Sequence, residues 1–96
     1  MTDGTVRKHF VFSGLVQGVG FRWRARRAAE AFGATGWVRN DLGGTVTMEL
    51  QGTEKQIESV LAAIERGSYI RIESVDARRI PTEENERGFF FADEHW

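Results

Sequence analysis

Residues 6–96 predict an α+β protein, with two helices laid on one face of an antiparallel sheet, and three observations carry that expectation. Val6 to Ser13 and Thr45 to Leu50 alternate side chains as half-buried strands do. Phe21 to Phe32, and the run holding Ile57, Val60, Leu61 and Ile64, repeat apolar residues at helical spacing. Glycine-containing turns separate these runs, so each is short enough to be one element of a small domain.

Taken in order, residues 1–5 form a short polar tail, and the rest is one domain. The first strand puts Phe10 and Phe12 on one face and Val11 on the other. Gly14 to Gly20 then holds three glycines in seven positions and leads straight into a helix. In that helix Phe21, Ala25, Ala28, Ala29 and Phe32 mark one face, and Gly33 supplies the stop. Ala34 to Asn40 is a second strand, Asp41-Leu42-Gly43-Gly44 a turn, and Thr45 to Leu50 a third strand, together a hairpin. Thr53 caps the second helix with Gln56 as its capping-box partner, and Gly67 ends it. Tyr69 to Ile80 reads as a fourth strand. Pro81 and the acidic Glu83, Glu84 and Glu86 read as a solvated loop, and Phe89 to Ala92 as a short extra C-terminal strand. The order βαββαβ is that of the ferredoxin-like two-layer sandwich.

Thirteen basic residues against fourteen acidic ones leave a net charge of −1, so bulk charge drives no binding to nucleic acid or membrane. The chain has no cysteine, which excludes disulfides, thiolate metal sites and cysteine nucleophiles. It has two histidines and no carboxylate cluster with metal-ligand spacing, so no metal and no cofactor are expected. The N-terminal stretch lacks the apolar core of a signal peptide, and no run is long enough to cross a membrane. The expectation is a cytoplasmic monomer.

The stretch Gly14-Leu15-Val16-Gln17-Gly18-Val19-Gly20-Phe21-Arg22 carries the chemistry. Glycine admits positive φ and lets main-chain N–H groups approach a ligand without an intervening Cβ. Successive N–H groups in such a turn form an anion-binding concavity. The helix start adds unpaired donors and the positive end of its dipole. Arg22, in the first helical turn, can curl back over this cup. A glycine turn between strand and helix is otherwise simply a turn former; its flanking Gln17, Phe21 and Arg22 favour a phosphate-sized anion. In a βαββαβ sandwich the cup, Arg22, Asn40 and the Gly67-Ser68-Tyr69 connection gather at one edge of the sheet.

These residues, with Gly36-Trp37-Val38-Arg39-Asn40, resemble the acylphosphatase family, whose signature is a G-x-V-Q-G-V-x-F-R block followed by G-W-V-x-N. The resemblance implies hydrolysis of acyl phosphates to a carboxylate and inorganic phosphate. It implies that Arg22 and backbone N–H groups of Gln17, Gly18, Val19, Gly20 and Phe21 bind the phosphoryl oxygens, and that Asn40 orients the attacking water. The chain departs from the family pattern at Gly67-Ser68, where Gly-Pro is common, and in its C-terminal Phe-Phe-Phe-Ala-Asp-Glu-His-Trp.

Trp23 falls off the helix's buried stripe near the cup, whereas Trp37 reads as packing. His9 and His95 have no evident partner and receive no catalytic role. Two other readings of the same sandwich are an RNA-binding module and a non-catalytic anion-binding domain. The first needs aromatic residues on a central strand, and Thr45 to Leu50 has none.

Overall fold

The computed structural model describes residues 4–93 of the chain. Five strands and two helices follow in the order β1 (Thr5–Leu15), α1 (Phe21–Phe32), β2 (Thr35–Asn40), β3 (Val46–Thr53), α2 (Glu54–Glu65), β4 (Arg71–Ile80) and β5 (Phe89–Phe91). The strands form one sheet in the order β4-β1-β3-β2-β5. The first four pair antiparallel, as expected, but β5 lies parallel to β2, with Gly36 opposite Phe89 and Val38 opposite Phe91. The sheet is therefore mixed, because the chain leaves β4 at one edge and returns at the other.

The core forms where the sheet's apolar face meets the helices. Phe10, Phe12, Val46, Met48 and Leu50 from the sheet bury against Phe21, Ala25, Ala29, Ile57, Val60 and Ile64. Phe12 sits between two other rings, 5.7 Å from Phe10 and 4.9 Å from Phe21 by centroid. Burying each large side chain contributes roughly 1.5–3 kcal/mol, and truncating Phe12 to alanine would cost about 3–5 kcal/mol. Leu61 and Phe32, expected on buried faces, lie at the border of the core, Leu61 partly buried and Phe32 exposed.

Local signals set the helix ends. Gly33, at φ 79°, ends α1 and donates its N–H to Ala29 O. Thr53 and Gln56 form the reciprocal capping box of α2, and Gln56 Nε2 also reaches Phe32 O at 3.0 Å. One side chain thus ties the start of one helix to the end of the other. Gly67 ends α2 for a different reason than a left-handed turn. A Cβ there would lie 2.7 Å from Ile70 Cδ1 and 3.0 Å from Arg24 Cδ, so the position is a close approach.

The face of the sheet away from the helices is polar. Arg7, only 2% exposed, donates to Glu49 at 3.0 Å and to Glu86 at 2.8 Å. His9 Nδ1 lies 2.6 Å from Glu49, so this histidine has a partner after all. Glu86 also accepts from Thr35 at 2.7 Å, while Gln51 holds both the N–H and the carbonyl of Glu83. The expected solvated loop is therefore a strap: Glu83 and Glu84 are exposed, but Glu86 closes over Arg7. His95 lies outside the described residues.

Candidate active site

Strand β1 delivers the glycine loop to one edge of the sheet. Its register against β4 shifts between Ser13 and Gly14. A Cβ on Gly14 would lie 2.3 Å from Arg71 O, so only glycine lets the two backbones meet there. Val16, 1% exposed, anchors the loop in the core. Gly18 and Gly20 have φ of 74° and 83°, the left-handed conformation that a side chain disfavours. Gly20 is the N-cap of α1 and offers no side chain to its first turn.

The backbone N–H groups of Gln17, Gly18, Val19, Gly20 and Phe21 donate to no backbone or side-chain acceptor among the described residues. A run of uncommitted donors at a helix N-terminus is a ready place for an anion. The side chain of Gln17 takes no part in that run. Its Nε2 donates to Asp41 O and Thr45 O, each at 2.8 Å, and so ties the loop to the β2–β3 turn. Asp41 in turn accepts from Thr45 and Thr47 at 2.9 and 2.6 Å and from Arg39 at 2.9 Å. Burial opposes its ionisation, but these donors outweigh burial and hold its pKa below the ordinary carboxylate value.

Arg22 projects from the first turn of α1. Its Nη1 donates to both carboxylate oxygens of Asp93, at 2.9 and 3.0 Å, and its guanidinium lies 5.3 Å from the Phe91 ring centroid. Asp93 Oδ2 also accepts the backbone N–H of Asn40 at 2.9 Å. Burial again opposes the charge on Asp93, and the Asn40 N–H with the Arg22 guanidinium keeps its pKa lowered. The side-chain amide of Asn40 forms no hydrogen bond among the described residues.

Gly18, Gly20, Phe21, Arg22 and Asn40 line one recess of about 110 Å³, with Val16 and Trp23. The expected gathering at the sheet edge is thus met for the two residues with proposed chemical roles and for most of the loop. Gln17 and Val19 are not among the residues lining the recess; Val19 lines, with Gly67, Ser68 and Tyr69, a larger groove that shares Gly20 and Trp23 with it. Sequence reasoning missed Asp93 and Phe91. The C-terminal segment carried no motif, and its approach to Arg22 exists only because β5 pairs with β2. Among the described residues no group of three metal-ligating side chains occurs, and no helix is long and apolar enough to cross a membrane.

Fold and recess define a two-layer α+β sandwich built around a glycine loop at the start of its first helix. The sequence pattern of the family described as acylphosphatase matches residues 8–91. The acylphosphatase of Clostridium acetobutylicum is 43% identical over 77 residues, covering 79% of this chain and 85% of that one. Among solved structures, acylphosphatase from Bacillus subtilis superposes with a TM-score of 0.82 at 25% identity, covering 90% of this chain and 97% of that one. An acylphosphatase from Coxiella burnetii gives 0.81 at 29% identity, covering 92% and 93%. The chain belongs to the acylphosphatase family, a family of hydrolases acting on acid anhydrides.

Proposed function

We propose that this chain hydrolyses the carboxyl–phosphate anhydride of small acyl phosphates, releasing a carboxylate and inorganic phosphate without a metal ion. The observation that carries the reading is the meeting in one recess of Arg22, the uncommitted Asn40 amide and the N-terminal turn of α1.

The leaving group of such a substrate is a carboxylate, stable without protonation, so no general acid is required. Phosphoryl transfer passes through a loose transition state with charge spread over the equatorial oxygens, and catalysis is then mostly positioning and electrostatics. Arg22 neutralises those oxygens, and its planar guanidinium suits them better than an ammonium does. The N–H groups of Gln17 to Phe21 are fixed by the loop and stabilise the same charge without reorganising. Gln17 contributes by its backbone, since its side chain holds the β2–β3 turn. Asn40 is no base; its amide fixes a water in line with the scissile P–O bond. Water oxygen bonds to phosphorus as the carboxylate departs with the bonding pair, and the water proton passes to a phosphate oxygen. Asp93, held ionised, keeps Arg22 in register with β2.

The test is hydrolysis of benzoyl phosphate by chelator-treated protein. Release of benzoate and phosphate, inhibited competitively by inorganic phosphate, is the expected result. Turnover no faster than that of an Arg22→Ala control would overturn the reading.

A further inference from the structure

Beside the recess lies a groove of about 690 Å³ that the reaction above leaves unused. It exists because its floor is made of small residues, Ala28 and Ala31 of α1 and Ala63 of α2, which leave a trough between the helices. Two large rings stand at its margin with most of their surface uncovered, Trp23 at 61% exposure and Tyr69 at 77%. Single exposed apolar residues are ordinary, but these two flank one concavity that abuts the glycine loop. Arg24 and Arg27 also line it, and no carboxylate does. Arg24 is tied to Ala63 O at 2.6 Å, whereas Arg27 forms no ion pair among the described residues.

Resting on the acyl phosphate reading, we infer that this groove is the acyl-group subsite and that it selects a large planar, aromatic acyl group over a small aliphatic one. Two arguments place the acyl group there. Displacement at phosphorus is in line, so the leaving carboxylate departs on the side opposite the attacking water. Asn40, which holds that water, lines only the recess, whereas Gly20 and Trp23 line both cavities, so the groove adjoins the recess at the helix start and not at Asn40. Size gives the second argument. The recess is smaller than the 300–1,000 Å³ range of small-molecule sites, and the groove falls within it. A flat ring laid against Trp23 and Tyr69 gains the face and edge attraction of aromatic pairs, and an arginine over its face adds to this. An acetyl group gains neither.

The test uses two pairs of probes. The ratio of kcat/KM for benzoyl phosphate to that for acetyl phosphate reads selectivity in turnover. The ratio of affinities for benzoylphosphonate and acetylphosphonate, whose C–P bond resists hydrolysis, reads it in binding alone. The wild-type chain is expected to favour the aromatic member of each pair. Tyr69→Ala should lower both ratios about three- to tenfold, as loss of one aromatic contact does. Trp23→Ala should lower them too, but Trp23 also packs edge-on against Phe91 at 5.4 Å. Tyr69→Ala is therefore the deciding variant. Equal affinity of wild type for the two phosphonates, or ratios unmoved by Tyr69→Ala, overturns the subsite. Preference for the aromatic phosphonate with hydrolysis of neither acyl phosphate would keep the subsite and sink the hydrolase reading.

Discussion

Arg22 Nη1 is bracketed by the two carboxylate oxygens of Asp93, at 2.9 and 3.0 Å, across 71 positions of sequence. The same carboxylate takes the backbone N–H of Asn40 at 2.9 Å. One side chain therefore ties the helix that carries the Arg22 guanidinium to the strand that carries the Asn40 amide, the group proposed to hold the water. Asp93→Ala should lower kcat for acetyl phosphate by roughly tenfold or more, since small misplacements of a positioning group are that costly. Asp93→Asn, which keeps an acceptor, should lose less. Steady-state kinetics on both variants, with unchanged circular dichroism, checks this; equal kcat for Asp93→Ala and wild type would refute it.

Arg22→Ala should cost on the order of 10²–10³ in turnover, by analogy with losing an oxyanion donor. Arg22→Lys should be nearly as damaging, because an ammonium cannot span two phosphoryl oxygens as a planar fork does. The measurement is turnover of benzoyl phosphate together with the inhibition constant of inorganic phosphate. A folded Arg22→Ala variant with wild-type-like turnover would show that the guanidinium plays no part.

Asn40→Ala removes an amide that no neighbouring group holds among the described residues. The expected signature is a large fall in kcat with KM changed little, because the water matters to the transition state and not to substrate binding. An effect confined to KM would count against the water-orienting role.

Gln17 acts as a brace between the loop and the β2–β3 turn, donating to Asp41 O and Thr45 O. Gln17→Ala removes one of two donors from each carbonyl, leaving Gly44 N–H on Asp41 O at 3.3 Å and Asp41 N–H on Thr45 O at 2.9 Å. The loss of two hydrogen bonds should lower stability by about 1–2 kcal/mol. Loosening the loop should also raise KM several-fold. Urea unfolding and acyl phosphate kinetics on the same preparation read the two effects.

Acidification should destabilise the fold through Glu49. Burial opposes its charge, but His9 and Arg7 outweigh burial and lower its pKa from the ordinary 4.5. A carboxyl with a lowered folded pKa binds protons more readily unfolded than folded, so its stabilisation is complete above the unfolded value. It is lost as pH falls below about 4.5 and through the lower folded value. Urea midpoints between pH 7 and pH 3 should fall more steeply for wild type than for Glu49→Gln. Parallel curves would remove Glu49 from the account.

Much of this protein was decided by short-range chemistry. The limits of α1 follow from an apolar stripe and a glycine at each end, and those of α2 from Thr53 and Gln56, three positions apart. The loop was legible because left-handed backbone at Gly18 and Gly20 demands glycine wherever the residues are placed. Even the meeting of Arg22 with Asn40 was legible, since βαββαβ topology sends both to one sheet edge.

Contacts made by pairing distant strands were not legible. Nothing near Asp93 marks it as a partner for Arg22; only the parallel seating of β5 beside β2 brings it there. Glu86, read as solvated, instead closes on Arg7 across 79 positions, because the strap between opposite sheet edges must cross the polar face. His9 found Glu49 through the β1–β3 register, where the two stand directly opposite. The order of amino acids alone determined which segments became strands, helices and an anion-ready turn, since those outcomes depend on neighbours a few bonds away. Tertiary structure alone decided which carboxylate steadies the guanidinium and where a trough opens beside it, because both depend on elements that touch only once the sheet is assembled.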